Sequence, residues 1–187
     1  WEAWRKAWSI SSLNENLMME RALSYLSPQE ILEKLIPDDP RKIVALADEY
    51  FPEPDGGASR RAYYQKAMLL LDAGNMHRTS DEYVRGTALA YAGKLDTAET
   101  AFMASVRAVD SKPEWFLDLA SVQAALGHRQ EADETIARYR NRNRDVAPDK
   151  SYLRKAAGLL GNKPDLDAKV RRRRAALYLE AGANDEA

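Results

Sequence analysis

The chain has 187 residues, 45% of them apolar and 30% charged, and its 28 basic side chains are balanced by 29 acidic ones. That balance reads as a globular, core-forming sequence and sets aside a dedicated nucleic-acid protein, which would be strongly basic. With no cysteine, disulfide frameworks, zinc fingers and thiol catalysis are excluded, and no apolar run approaches the roughly 20 residues that cross a bilayer.

In chain order, almost every segment carries helical periodicity, and start and stop chemistry places the helices. A first helix over residues 1–10 carries Trp1, Trp4 and Trp8 on one stripe. A second over 12–26 would cover that stripe with Leu13, Leu17 and Leu23. The same tryptophans beside Arg5 and Lys6 also fit the aromatic belt just outside a membrane span. Ser27-Pro28-Gln29-Glu30 is a capping box, in which hydroxyl and carboxylate each satisfy a free amide, at the head of a helix over 28–36. Asp39-Pro40 opens a helix over 40–51 with an acceptor followed by proline at the first helical position.

The turn-rich run from Phe51 to Gly57 leads into a helix over 59–73 that stops at Gly74. Glu49, Glu53 and Asp55 lie near this turn, but their spacing fits no calcium loop, so they read as solvated carboxylates. Thr79-Ser80-Asp81-Glu82 and Ser111-Lys112-Pro113-Glu114 write further capping boxes before helices over 80–92 and 113–126. Gly93 and Gly127 stop those helices with residues free to take the left-handed conformation. Helices over 95–110, 129–143, 149–160 and 165–181 complete the chain, with Gly161 between the last two. Helices without strands predict an all-α fold.

A 34-residue echo organises the middle of the chain. Tyr91-Ala92-Gly93-Lys94-Leu95-Asp96-Thr97-Ala98 returns as Ala125-Leu126-Gly127-His128-Arg129-Gln130-Glu131-Ala132, and Phe102 is answered by Ile136. A fixed period of this length marks helical hairpins that bury their apolar faces only by stacking. Small residues let the paired helices approach, and the larger one plugs the groove between units.

On these residues the chain resembles the tetratricopeptide repeat family. Gly86, Gly93, Ala98 and Phe102 match its pattern in a unit over 80–113; Phe116, Leu119, Ala120, Gly127, Ala132 and Ile136 match it over 114–147. Arg85 stands where the family prefers Leu, and Asp110 where it closes with Pro. Segments 40–79 and 148–187 look like degenerate units, preceded by an N-terminal helical cap over 1–39. The resemblance implies a right-handed superhelical solenoid that binds a protein or peptide along its concave face, with no catalytic, metal-binding or cofactor-binding residue. The family's inward-facing positions fall on Tyr83, Thr87, Tyr91, Leu117, Ser121, Ala125, Ser151 and Lys155, with Arg41, Val44 and Asp48 in the early unit. The Lys/Asn set by which chaperone-binding members clamp a C-terminal carboxylate is absent.

Residues for catalysis are scarce. His77 and His128 both fall at turns between helices, and no Gly-rich phosphate loop, Gly-x-Ser-x-Gly elbow or His-Glu-x-x-His helix is present, so the chain is not expected to be an enzyme. Arginines are plentiful: Arg138, Arg140, Arg142 and Arg144 alternate, and Arg171, Arg172, Arg173 and Arg174 run consecutively. Clustered at one end of the solenoid, they would recognise phosphate, an acidic lipid, an acidic protein or, as a weaker alternative, a nucleic acid. Consecutive helical residues point in different directions, however, and an Arg near a helix C-terminus also complements the dipole.

A second resemblance concerns context. The start Trp1-Glu2-Ala3-Trp4-Arg5-Lys6-Ala7-Trp8 and the linker Ile36-Pro37-Asp38-Asp39-Pro40 are similar to soluble helical tails that follow the membrane region of some bacterial O-antigen polymerase-like and ligase-like proteins. This likeness implies an accessory domain on the non-cytoplasmic face of a bacterial membrane; a free scaffold would be cytoplasmic. A start at Trp1 rather than Met suggests a piece of a longer protein.

Overall fold

Capping chemistry and glycine stops translate into helices α1 (Glu2–Ile10), α2 (Glu15–Leu23), α3 (Pro28–Lys34), α4 (Pro40–Tyr50), α5 (Gly57–Ala73), α6 (Thr79–Tyr91), α7 (Leu95–Val106), α8 (Pro113–Leu126), α9 (Arg129–Arg142), α10 (Ser151–Leu159) and α11 (Ala168–Glu180). The computed structural model describes residues 2–10, 15–51, 57–74, 79–142, 151–161 and 167–182, and among these there is no strand. The fold is all-α. Helix α7 stops at Val106 rather than continuing to 110; Arg107 to Asp110 form turns in which Val109 is fully exposed.

The chain divides into two compact units, residues 1–77 and 78–187. The expected boundary between cap and repeats at 39/40 does not coincide with this division, since α3 and α4 both pack on α5. Polar ties run across the same region. Tyr63 Oη donates to the Pro28 carbonyl (3.1 Å) and Lys66 Nζ to that of Leu32 (3.1 Å). Asp38 takes Arg5 at 2.8 Å and Lys66 at 3.1 Å, which joins α1, the head of α4 and α5. Trp8 is fully buried, but Leu17 and Leu23, expected to cover it, are exposed. Helix α2 instead turns Met19 and Ala22 inward, and Lys42 of α4 holds the Trp8 carbonyl at 3.0 Å. Trp1 and Leu13 lie outside the described residues.

The capping box at Ser27 forms as written. Glu30 Oε2 accepts from the Ser27 amide (3.0 Å) and hydroxyl (2.9 Å), while Lys34 Nζ reaches Oε1 at 2.8 Å. The hydrogen bond from Lys34, together with those from Ser27, holds the Glu30 carboxyl at about 2, down from 4.5. At Ser111 the box does not form. Lys112 occupies the N-cap without a side-chain bond, and Ser111 is buried and bonded by Arg142 Nη1 at 2.6 Å. Thr79 begins α6, and the residue before it lies outside the described set.

In the second unit the sequence echo becomes a recurrence of hydrogen bonds. At the end of α6 the Gly93 and Lys94 amides donate to Ala90 (3.0 Å) and Leu89 (2.9 Å). At the end of α8 the Gly127 and His128 amides donate to Ala124 (3.1 Å) and Gln123 (2.9 Å), each pair 34 residues on. Both glycines are left-handed, at φ +75° and +88°, as this helix-stop geometry requires.

The hairpin interiors recur with a compensation in volume. Ala98 and Ala132 are fully buried where second helices meet first ones. Phe102 lies on Gly86 so closely that a β-carbon there would sit 2.7 Å from its ring. In the next unit Ala120 replaces Gly86 and the smaller Ile136 replaces Phe102, both buried. Helices α8, α9, α10 and α11 then share one apolar cluster in which Ala120, Ala124, Ala125, Ala132 and Ile136 meet Tyr152, Leu153, Ala156, Ala157, Leu177 and Tyr178.

Two stability measurements follow. The low Glu30 carboxyl stabilises the first unit above pH 4.5, and this contribution is lost as pH falls from 4.5 towards 2. Wild type should therefore exceed Glu30→Gln in urea midpoint at pH 6 and converge with it near pH 2; a pH-independent difference would contradict the assignment. Gly86→Ala should destabilise the second unit, because overpacking of about 1–3 kcal/mol outweighs a helix-propensity gain of about 1 kcal/mol. In a Phe102→Ile background the same change should turn neutral or stabilising, a coupling that a double-mutant cycle measures.

Candidate functional site

The first helices of the three hairpins in the second unit, α6, α8 and α10, carry the expected inward-facing positions. Tyr83, in the second turn of α6, stacks on Trp115 of α8 with ring centroids 4.9 Å apart and planes 14° from parallel. Its ring also lies 5.6 Å from that of Phe102, tilted by 53°. Held by these two ring contacts, its hydroxyl donates to Asp118 Oδ2 at 2.6 Å. Lys155 of α10 donates to the other oxygen, Oδ1, at 2.7 Å. One carboxylate thus joins side chains from three successive hairpins.

The remaining positions differ in what they offer. Ser121 and Ala125 are buried in the core and line no open surface, a correction to their expected place in a groove. Helix α10, packed along α8, brings Tyr152 and Ala156 into the same cluster as Ala125, and Ser121 Oγ donates to the Leu117 carbonyl at 2.7 Å. Thr87 Oγ1 likewise donates to the Tyr83 carbonyl at 3.1 Å. Thr87, Tyr91 and Leu117 are half-buried, whereas Ser151 and Lys155 are exposed. The exposed or half-buried positions are therefore Thr87 and Tyr91 of α6, Leu117 of α8, and Ser151 and Lys155 of α10.

Arg41, Val44 and Asp48 belong to the first unit. Val44 is core, Arg41 pairs with Asp39 at 3.2 Å, and Asp48 accepts from Arg60 and from Tyr64. Burial first, and the Asp48 charge second, raise the Tyr64 phenol well above its ordinary range.

The arginines differ in what they touch. Arg142 lies over the Phe116 ring at 4.9 Å as well as bonding Ser111. Arg173 Nη1 donates to the carbonyls of Ala125 (2.9 Å) and Leu126 (2.8 Å), where it complements the C-terminal dipole of α8. Arg174 lies over Tyr178 at 5.2 Å. Arg138, Arg140, Arg171 and Arg172 are exposed, and Arg144 lies outside the described residues. His128 Nδ1 sits 3.2 Å from Glu99, whereas His77, Glu53 and Asp55 lie outside the described residues. Among the described residues no group of three or more His, Asp or Glu converges as metal ligands would.

Sequence reasoning missed Asp118, because it follows the inward-facing Leu117 and falls one place off the 34-residue register of Tyr83. The available signal was its carboxylate in a helix whose neighbouring positions are all apolar. The aromatic stack makes Tyr83 structural as well as surface-forming. Tyr83→Ala should cost the second unit about 3 kcal/mol by removing both ring contacts, whereas Tyr83→Phe, which loses only the hydroxyl, should cost about 1 kcal/mol. Equal losses in thermal or urea unfolding would refute the dominance of the stack. Searches of protein-family models, curated proteins and solved structures give no match to this chain.

Proposed function

We propose that the chain is a non-catalytic scaffold whose second unit is a tetratricopeptide-like array, with hairpins stacked in a right-handed superhelical sense. It binds an extended segment of a protein partner along α6, α8 and α10. The observation that carries this reading is the shared carboxylate of Asp118, which brings Tyr83 and Lys155 from the flanking hairpins to one side of α8. Rigid aromatic area with a hydroxyl, a half-buried leucine and an exposed cation on one face suit recognition of a polypeptide by surface complementarity.

The half-buried and exposed positions contribute the contacts, while Ser121 and Ala125 belong to the core beneath α10. The reading holds for a soluble partner and for a partner segment of a membrane protein alike. No described helix is long and apolar enough to cross a membrane.

Site-specific photocrosslinking in the native host tests the proposal. A benzoyl-phenylalanine placed at Tyr91 or Ser151 should capture a polypeptide, and one at exposed Glu134 on α9 should not. Equal capture from Glu134, or none from Tyr91 and Ser151 with folding intact, would sink the reading.

A further inference from the structure

The order of charge along a helix separates two uses of arginine. In α9 the carboxylate of Glu131 leads and Arg140 and Arg142 close, the order that the helix dipole favours. Helix α11 runs the other way. Lys169, Arg171, Arg172, Arg173 and Arg174 crowd its first half, no basic residue stands in its last turn, and Glu180 ends it. One carboxylate, that of the cap residue Asp167, stands at the cationic end and accepts from the Lys169 amide at 2.6 Å.

Two of these five cations are engaged within the chain. Arg173 donates to carbonyls of α8, and Arg174 lies over the Tyr178 ring. Lys169, Arg171 and Arg172 are exposed, and among the described residues their side chains make no ion pair or hydrogen bond. Each opposes the dipole, and Lys169 and Arg172, three places apart, repel one another. Local stability does not account for them. Between them the surface is small and apolar. Ala168, Arg172, Ala176 and Leu179 fall on one stripe of the helix and all are exposed, Leu179 to 57%.

We infer that this outer face of α11 docks an acidic amphipathic helix of another protein. It uses none of the positions on α6, α8 and α10 and so goes beyond the reading above. Ala168 and Ala176 let a second helix approach closely, and an apolar stripe on that helix covers Leu179. Carboxylates flanking the stripe meet Lys169, Arg171 and Arg172, where guanidinium groups hold them with paired hydrogen bonds. The partner's charge thereby removes the repulsion that α11 carries alone. A duplex nucleic acid would offer phosphates but no apolar surface for Leu179. A bilayer surface calls for bulkier apolar side chains than two alanines and a leucine.

The test measures binding of the full chain, by fluorescence polarisation, to two labelled designed helices with the same leucine stripe, one flanked by glutamates and one by glutamines. Wild type should bind the glutamate helix roughly tenfold more tightly at low salt, and high salt should erase most of that margin. Arg171→Gln with Arg172→Gln should lose the preference, while Arg138→Gln with Arg140→Gln, an equal loss of charge on α9, should keep it. Leu179→Ser should weaken binding of the glutamate helix by roughly threefold. The α11 double variant should melt no lower than wild type, because it removes cations that oppose the dipole; a lower melting temperature would show that these arginines serve the fold and would overturn the inference. Equal binding of the two helices to wild type, or equal losses from the two arginine pairs, overturns it as well. So does tighter binding of phosphatidylglycerol vesicles or of a duplex oligonucleotide than of the glutamate helix.

Discussion

The second unit depends on how closely its paired helices approach. Phe102 of α7 rests directly on the backbone of Gly86 in α6, with no room for a β-carbon between them. That close approach accompanies full burial of Ala98, and Tyr83, one turn before Gly86, packs on the same ring at 5.6 Å. The Phe102 ring that helps hold the Tyr83 hydroxyl in place thus occupies the space of a missing methyl group. Where the next hairpin substitutes Ala120 and Ile136, the same interhelix space is filled with the volume divided differently.

The first unit is held together by other means. Its helices are tied by cations that reach main-chain carbonyls or carboxylates across elements: Lys42 to Trp8 and Glu15, Lys66 to Leu32 and Asp38, Arg5 to Asp38. Beneath these ties lies a core of Trp8, Ile31, Leu35, Ile43 and Tyr63. Such long, directed links are particular to their partners and do not recur with a period. This explains why the likeness to a repeat fades before residue 78 although the segment is equally helical.

Much of the architecture was legible because local chemistry dictates it. Gly93 and Gly127 end helices by a conformation that costs other residues more, and Ser27 with Glu30 closes a box within four residues. What was not legible involves choices between partners distant in sequence. Ser111 had the composition of a cap, but Arg142 from the next helix claims it, and a proline at the first helical position leaves one donor fewer to satisfy. Leu17 had the spacing to cover Trp8, but Met19 and Ala22 of the same helix are inside instead. Ser121 and Ala125 fall on the inward-facing register, yet small side chains invite a neighbouring helix to close over them. Asp118 gains its meaning only when two other hairpins meet it.

Gly127 serves two purposes at once. Its left-handed φ of +88° ends α8, and its bare α-carbon leaves space for the Arg173 guanidinium, which a β-carbon would meet at 2.9 Å. Stacked repeats ordinarily fray from their ends, one hairpin at a time. Here helix α11 supplies a donor to a helix three elements earlier, so detaching it would leave carbonyls of α8 without that donor. Peeling of the terminal hairpin is thereby coupled to fraying of the central one. The terminal hairpin is thus tied to the central one by hydrogen bonds as well as by the shared apolar cluster.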